Sequence, residues 1–290
     1  MKADRFNELL FASLKNRKDI EFSLMALAYD NNKNHWFPRL ASSNLRSTSR
    51  TLLIRAGIHG EEVAGPMTIL NHGNDIFDYA HQRSVRLIVY PLGNPAGFEA
   101  GTRYSPDCGW EGFCGNNDSL RYKLRDGTLV DEITSCNEAT DWYWSFHLGL
   151  KLPRETLLMH ACLEKDLRLT NIQGVLDLHQ DYITKDIGPM AYHYSFGNLT
   201  VYKQIIMELR KFISVVPINT AAGYASGISM QSDEDGFIMR HDGSLGDLAW
   251  WLRVPYNVTV ETTGCTPPDV ATKVNLVWIK GFVDLIANNH

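Results

Sequence analysis

An apolar run, Thr51-Leu52-Leu53-Ile54, passes into Arg55-Ala56-Gly57-Ile58-His59-Gly60-Glu61-Glu62-Val63-Ala64-Gly65, and Pro66 then opens a helical pattern through Ile69, Leu70 and Phe77. This spells a buried strand, a Gly-rich turn and a helix, the repeating unit of an α/β fold. The turn carries a His and two acids at the carboxyl end of its strand, where open α/β sheets bind their ligands. His59 and Glu62 are three positions apart, so in a coiling segment both side chains point to one side and can share a cation. Glu61 is the rival ligand, but sequential neighbours point apart, and the spacing favours Glu62.

The same logic recurs along the chain. Phe6, Leu9, Leu10 and Leu14 predict an opening helix, and Ile20 to Tyr29 alternates as a strand. Residues 30–49 are turn-rich and suit a hairpin or loop. A helix over 66–80 precedes a buried strand, Val85 to Tyr90, and Asn94-Pro95-Ala96-Gly97 reads as a turn. Residues 98–141 lack periodicity and suggest an excursion over a binding site. Pro153 to Arg168 predicts a helix, and Val175-Leu176-Asp177-Leu178-His179 a strand ending in polar residues. Val201 to Val215 reads as amphipathic helix, 217–243 as irregular and Ser244 to Leu252 as a short helix. Tyr256 to Glu261 then reads as strand and Pro268 to Ala287 as a closing helix. No repeat, linker or low-complexity segment interrupts the 290 residues, so the expectation is one α/β domain over 1–290.

Composition narrows the function. A net charge of -5 and no basic run longer than Lys15-Asn16-Arg17-Lys18 argue against a nucleic-acid partner. The start, Met1 to Phe6, has no secretory apolar stretch, and no run approaches the ~18 apolar residues of a membrane span. Five cysteines with no Cys-x-x-Cys pair suit free thiols in a reducing compartment, so a cytoplasmic protein is expected.

Three strand ends thus carry His59 with Glu62, His179, and Glu261. Singly, His179 reads as a structural imidazole and Glu261 as a solvated acid. Together, two His and one carboxylate with an open fourth position form the ligand set of a catalytic zinc, and a further Glu can move protons beside it. Asp177, two residues before His179 and hence on the same side of the strand, can orient that imidazole. His72, His81, His147, His160, His193 and His241 fall at no ligand spacing and are assigned to surface or packing.

These stretches, in order, resemble the zinc carboxypeptidase superfamily, which includes the aspartoacylases and succinylglutamate desuccinylases. The matching residues are Gly57-Ile58-His59-Gly60-Glu61-Glu62 with Gly65, Asn94-Pro95-Ala96-Gly97 followed by Arg103, Asp177-Leu178-His179, and Val260-Glu261-Thr262-Thr263-Gly264. The resemblance implies a mixed sheet of about eight strands flanked by helices and one zinc per chain on His59, Glu62 and His179. It further implies Glu261 as general base and acid, and Arg103 as the group that polarises the scissile carbonyl. The substrate it implies is a small peptide, cleaved in carboxypeptidase fashion, or an N-acyl amino acid. A metal-binding relative without catalysis is the third alternative. The family's usual Asn-Arg pair, which grips a substrate carboxylate, has no counterpart in Pro106 to Glu111, leaving Arg121, Arg125 or Arg240 for that task. The family's pocket-capping Tyr has no counterpart in Phe237-Ile238-Met239-Arg240.

Overall fold

The computed structural model describes residues 1–29, 33–105, 118, 122–124, 126–130, 142–144, 153–181, 188–217 and 231–288. Its centre is built from four parallel strands buried on both faces: β3 (Thr51–Ala56), β4 (Arg86–Tyr90), β8 (Ile172–Leu178) and β12 (Tyr256–Thr262). Strands β1 (Ile20–Ala28) and β2 (Asn34–Ser42) form an antiparallel hairpin that joins β4 at one side. On the other side β9 (Met190–Tyr194) lies antiparallel to β12 and carries the two-residue strands β10 (Ser214–Val215) and β11 (Phe237–Ile238). The order is β1-β2-β4-β3-β8-β12-β9-β10, with β11 also on β9, a mixed sheet of nine strands among the described residues. Three short strands, β5 (Tyr122–Leu124), β6 (Leu129–Val130) and β7 (Trp142–Trp144), pair in a small separate sheet.

Period-two alternation sorts the central strands onto two cores. Leu52, Ile54 and Ala56 of β3 face a core built with α1 (Ala3–Leu14), α2 (Ala64–Gln82) and α7 (Pro268–Asn288). Leu53 faces the opposite core with Met159 and Leu163 of α4 (Arg154–Leu169) and Leu245, Leu248 and Ala249 of α6 (Leu245–Trp251). Trp278 of α7 is fully buried, and its truncation to Ala would cost about 3–5 kcal/mol.

Two segments differ from the sequence expectation. Asn94 to Gly97 does not simply turn: Asn94 caps α3 (Pro95–Ala100), its Oδ1 accepting from Gly97 N at 2.8 Å with Pro95 in the first turn. The same residues signal turns and helix starts because both use an Asn side chain to satisfy nearby N–H groups. The helix expected over 201–215 is only α5 (Lys203–Leu209) after a 3-10 turn, Leu199–Tyr202, because Ser214 and Val215 are drawn onto β9.

Candidate metal centre

The turn after β3 is fixed by two glycines. Gly57 holds φ at +64°, a left-handed conformation that L side chains rarely adopt. At Gly60 a Cβ would lie 2.0 Å from the Gly97 carbonyl carbon, so the turn packs directly on α3. Backbone bonds complete the lock, Asn94 N donating to Gly57 O at 2.7 Å and Gly60 N to Arg103 O at 3.0 Å. His59, Glu62 and the Arg103 segment are thereby held as one unit.

The parallel register of β3, β8 and β12 brings the remaining groups to the same carboxyl edge. His59, Glu62 and His179 are all buried, and one ligand atom from each falls within 4.8 Å of the others. His59 Nδ1 lies 2.8 Å from Glu62 Oε1 and His179 Nδ1 lies 2.8 Å from Glu62 Oε2, so one imidazole faces each carboxylate oxygen. Arg103 Nη1 donates to Glu62 Oε1 at 2.7 Å and Gln180 N to Oε2 at 3.3 Å. Burial works to raise the Glu62 carboxyl, but His59 and His179 outweigh it and hold it well below the usual range. Glu61 is outside this group, 3.6 Å from Arg103.

Behind His179, its Nε2 sits 3.0 Å from Asp177 Oδ2, which leaves Nδ1 for the site. Asp177 is held in turn by Arg55, its register partner on β3, whose Nε donates to Oδ1 at 2.8 Å and whose Nη2 donates to Oδ2. Arg55 Nη2 also pairs with Asp118. Burial opposes ionisation of Asp177, yet Arg55 and His179 keep its carboxyl well below the ordinary range.

Glu261, next to last in β12, lies in the same site, its Oε1 3.9 Å from His179 Nδ1 and its buried Oε2 without a hydrogen-bond partner among the described residues. Burial, with the Glu62 and Asp181 charges, pushes its carboxyl well above the usual range against the pull of His179 and Arg103. A cleft lined by Arg103, His59, His179 and Glu261 continues to Arg240, Asp242, Tyr194 and Thr259. Its far wall is pinned by buried Asp247 of α6, which accepts from Asp242 N and Gly243 N at 2.6 Å each and from His241 Nδ1. Burial and the Asp247 charge push the Asp242 carboxyl up to about 7.

Of the sequence-derived residues, His59, Glu62, His179, Asp177, Glu261, Arg103 and Arg240 are brought to this site, whereas Arg121 and Arg125 lie outside the described residues. Sequence reasoning missed Arg55, Asp118, Tyr194 and Asp242. Arg55 was discoverable, since a lone cation in an otherwise apolar strand needs a buried counter-charge. The other three are isolated letters in loops or at a strand end, with no local pattern.

The donor set fits a zinc-type ion. Two imidazole nitrogens and a carboxylate converge, and because His179 turns Nε2 to Asp177 its Nδ1 is the nitrogen presented beside Glu62.

Residues 48–117 match the family model described as the succinylglutamate desuccinylase/aspartoacylase catalytic domain. Among solved structures, a candidate metallopeptidase from Shewanella amazonensis superposes with a TM-score of 0.67 at 21% identity, over 98% of this chain and 92% of that one. Carboxypeptidase A from Helicoverpa armigera gives 0.63 at 13% identity, over 100% and 74%. An aspartoacylase family protein from Mesorhizobium loti gives 0.52 at 17%, over 92% and 67%. Similarity at these identities is similarity of fold. The chain therefore has the zinc carboxypeptidase-like α/β fold, and its stretch bearing His59, Glu62 and Arg103 matches the succinylglutamate desuccinylase/aspartoacylase catalytic domain.

Proposed function

We propose that this chain is a single catalytic domain, a zinc-dependent hydrolase that cleaves an amide bond of a small peptide or peptide-like substrate in carboxypeptidase fashion. The observation that carries this reading is the contrast between two buried carboxylates in one site: Glu62 is engaged by two imidazoles and held ionised, while Glu261 Oε2 has no hydrogen-bond partner among the described residues and its carboxyl is raised. Environments that push two acids apart separate an electrostatic role from a proton-moving one. His59, Glu62 and His179 hold the ion, with Asp177 steadying His179. Bound there, zinc would supply Lewis acidity to a water and to the substrate carbonyl. Glu261 accepts the proton of the attacking water at Oε2 and passes it to the amide nitrogen as the C–N bond breaks. Arg103, which lines the cleft beside Glu62, binds the charge that grows on the carbonyl oxygen, and Arg240, lining the same cleft, binds the substrate carboxylate.

A second reading, hydrolysis of an N-acyl amino acid, is favoured by the match over residues 48–117. Both readings use the same residues and place the amino-acid carboxylate on the leaving-amine side; they differ in the acyl group, a peptidyl chain in one and an acetyl or succinyl group in the other. The separating experiment offers the purified protein a panel of peptides beside acetyl- and succinyl-amino acids, with and without chelator. Release of C-terminal residues supports the peptidase, release of acetate or succinate the deacylase. Chelator-resistant activity, or activity untouched by Glu261→Gln, rejects the mechanism. The expected compartment is the cytoplasm: Cys162 and Cys265 are free thiols, and no described helix is long and apolar enough to cross a membrane.

A further inference from the structure

The acids around His179 form a second potential metal group. Asp118, Asp177 and His179 each offer a ligand atom within 4.8 Å of the others, so His179 belongs to both groups. Spacing alone would permit two ions bridged at one imidazole. The structure puts Arg55 there instead. Its side chain is wholly buried, Nε donates to Asp177 Oδ1 at 2.8 Å, and Nη2 donates to both Asp177 Oδ2 and Asp118 Oδ1. A zinc ion would need those oxygens at about 2.0–2.2 Å, the space the guanidinium hydrogens fill. The guanidinium cannot shed its proton to make way. It is also fixed from below, since Arg55 and Asp177 are register partners in the parallel pair β3·β8.

We propose that Arg55 is the built-in second cation of this metal centre: by taking Asp177 and Asp118 it limits the site to one ion and orients His179 toward that ion. This rests on the metal reading of the site given above. Arg55 is a positioning residue, because it touches neither the proposed ion nor the cleft. Its two acids divide the work: Asp177 meets His179 Nε2 at 3.0 Å, and Asp118 lines the substrate cleft. One guanidinium therefore couples the ligand sphere to the cleft wall.

The test counts zinc in the purified full-length protein by elemental analysis after equilibration with excess zinc, and measures its affinity by competition with a chelating dye. Wild type and Arg55→Lys are expected to hold one zinc per chain. Arg55→Gln, which frees both acids, is expected to hold two. Circular dichroism checks that each variant counted is folded, and the double variant Arg55→Gln, Asp118→Asn leaves the net charge of the cluster unchanged. It is expected to return to one zinc, bound 10–100-fold more weakly because Asp177 has lost its clamp. Two zinc ions in wild type overturn the inference. So does wild-type affinity in the double variant, or a folded Arg55→Gln with one zinc at wild-type affinity. A wild type that binds no zinc overturns the metal reading itself and the inference with it. One ion in wild type with unaltered variants overturns the inference alone.

Discussion

Two arginines on the sheet, one buried and one half-buried, make similar pairs and serve different ends. Arg39 of β2 forks onto Asp166 of α4, Nη2 to Oδ1 at 2.7 Å and Nε to Oδ2 at 3.1 Å, and the Tyr90 hydroxyl donates to the same carboxylate. That cluster fastens a helix to the sheet and ends there. Arg55 pairs with Asp177 in the same bidentate manner, but Asp177 contacts His179 and Asp118 lines the cleft. The chemistry of the pair does not decide its role. What it touches next does.

Both clusters belong to one polar row. Tyr90, Arg55, Asp177, Thr259 and Tyr194 are successive register partners across β4, β3, β8, β12 and β9. Tyr90, Arg55, Asp177 and Tyr194 sit at or next to the carboxyl ends of their strands, and Thr259 sits at the middle of β12. Substitutions in the site and in the Arg39–Asp166 cluster should therefore divide cleanly into losses of function and losses of stability.

The largest effect is expected at Glu261. Glu261→Gln should lower amide hydrolysis by about 10²–10⁴-fold with zinc content and melting temperature unchanged, since a general acid–base group acts only in the reaction. Steady-state rates beside a thermal melt check this, and a fall in stability matching the fall in rate would break the division. Next, Asp166→Ala should cost about 3 kcal/mol of stability, leaving Arg39 and Tyr90 without their shared partner, while zinc affinity stays at the wild-type value. Denaturant unfolding reads the first and dye competition the second. A large loss of zinc affinity there would mean that the two clusters are not separate.

His193 sharpens the contrast from another side, as an ionisable group buried with no counter-charge among the described residues. It packs edge-on against Trp278, 4.7 Å between ring centres, neither ring nitrogen has a hydrogen-bond partner among the described residues, and burial pushes its pKa down to about 3. The fold therefore favours the neutral ring, and the unfolded chain binds its proton first as pH falls below about 6.5. The stability tied to this residue is complete above pH 6.5 and is lost progressively toward pH 3. It should amount to about 2 kcal/mol lost between pH 6.5 and 5, and His193→Leu should remove that part of the slope. Unchanged pH dependence in the variant would show the ring to be charged or hydrated in the native state. The smallest effect is expected at the exposed Lys2–Glu99 pair, where Lys2→Ala should change stability by less than about 1 kcal/mol.

Legibility from sequence followed the same physics. β3, β4 and β8 were readable from their apolar runs and β12 from its alternating Tyr256, Val258 and Val260, and their ends carried His59, His179 and Glu261 into view. β9, Met-Ala-Tyr-His-Tyr, was not, because it mixes polar and aromatic letters and takes its place from partners distant in the chain. β10 and β11 are two residues each, too short to carry a period. Arg55 hid in the run that identified β3. Its partner Asp177 was found only because it stands two residues from a candidate ligand. The cleft wall from Arg240 to Asp242 owes its shape to Asp247, whose bonds to Asp242 N and Gly243 N no local pattern announces.

The most direct test of the account is zinc stoichiometry in wild type beside His179→Ala, with no substrate involved. One zinc per wild-type chain, released in the variant with the fold intact by circular dichroism, is the predicted result. A wild-type chain that takes up no zinc, or a His179→Ala variant that holds it as tightly as wild type, would contradict the claim that His59, Glu62 and His179 form a metal centre.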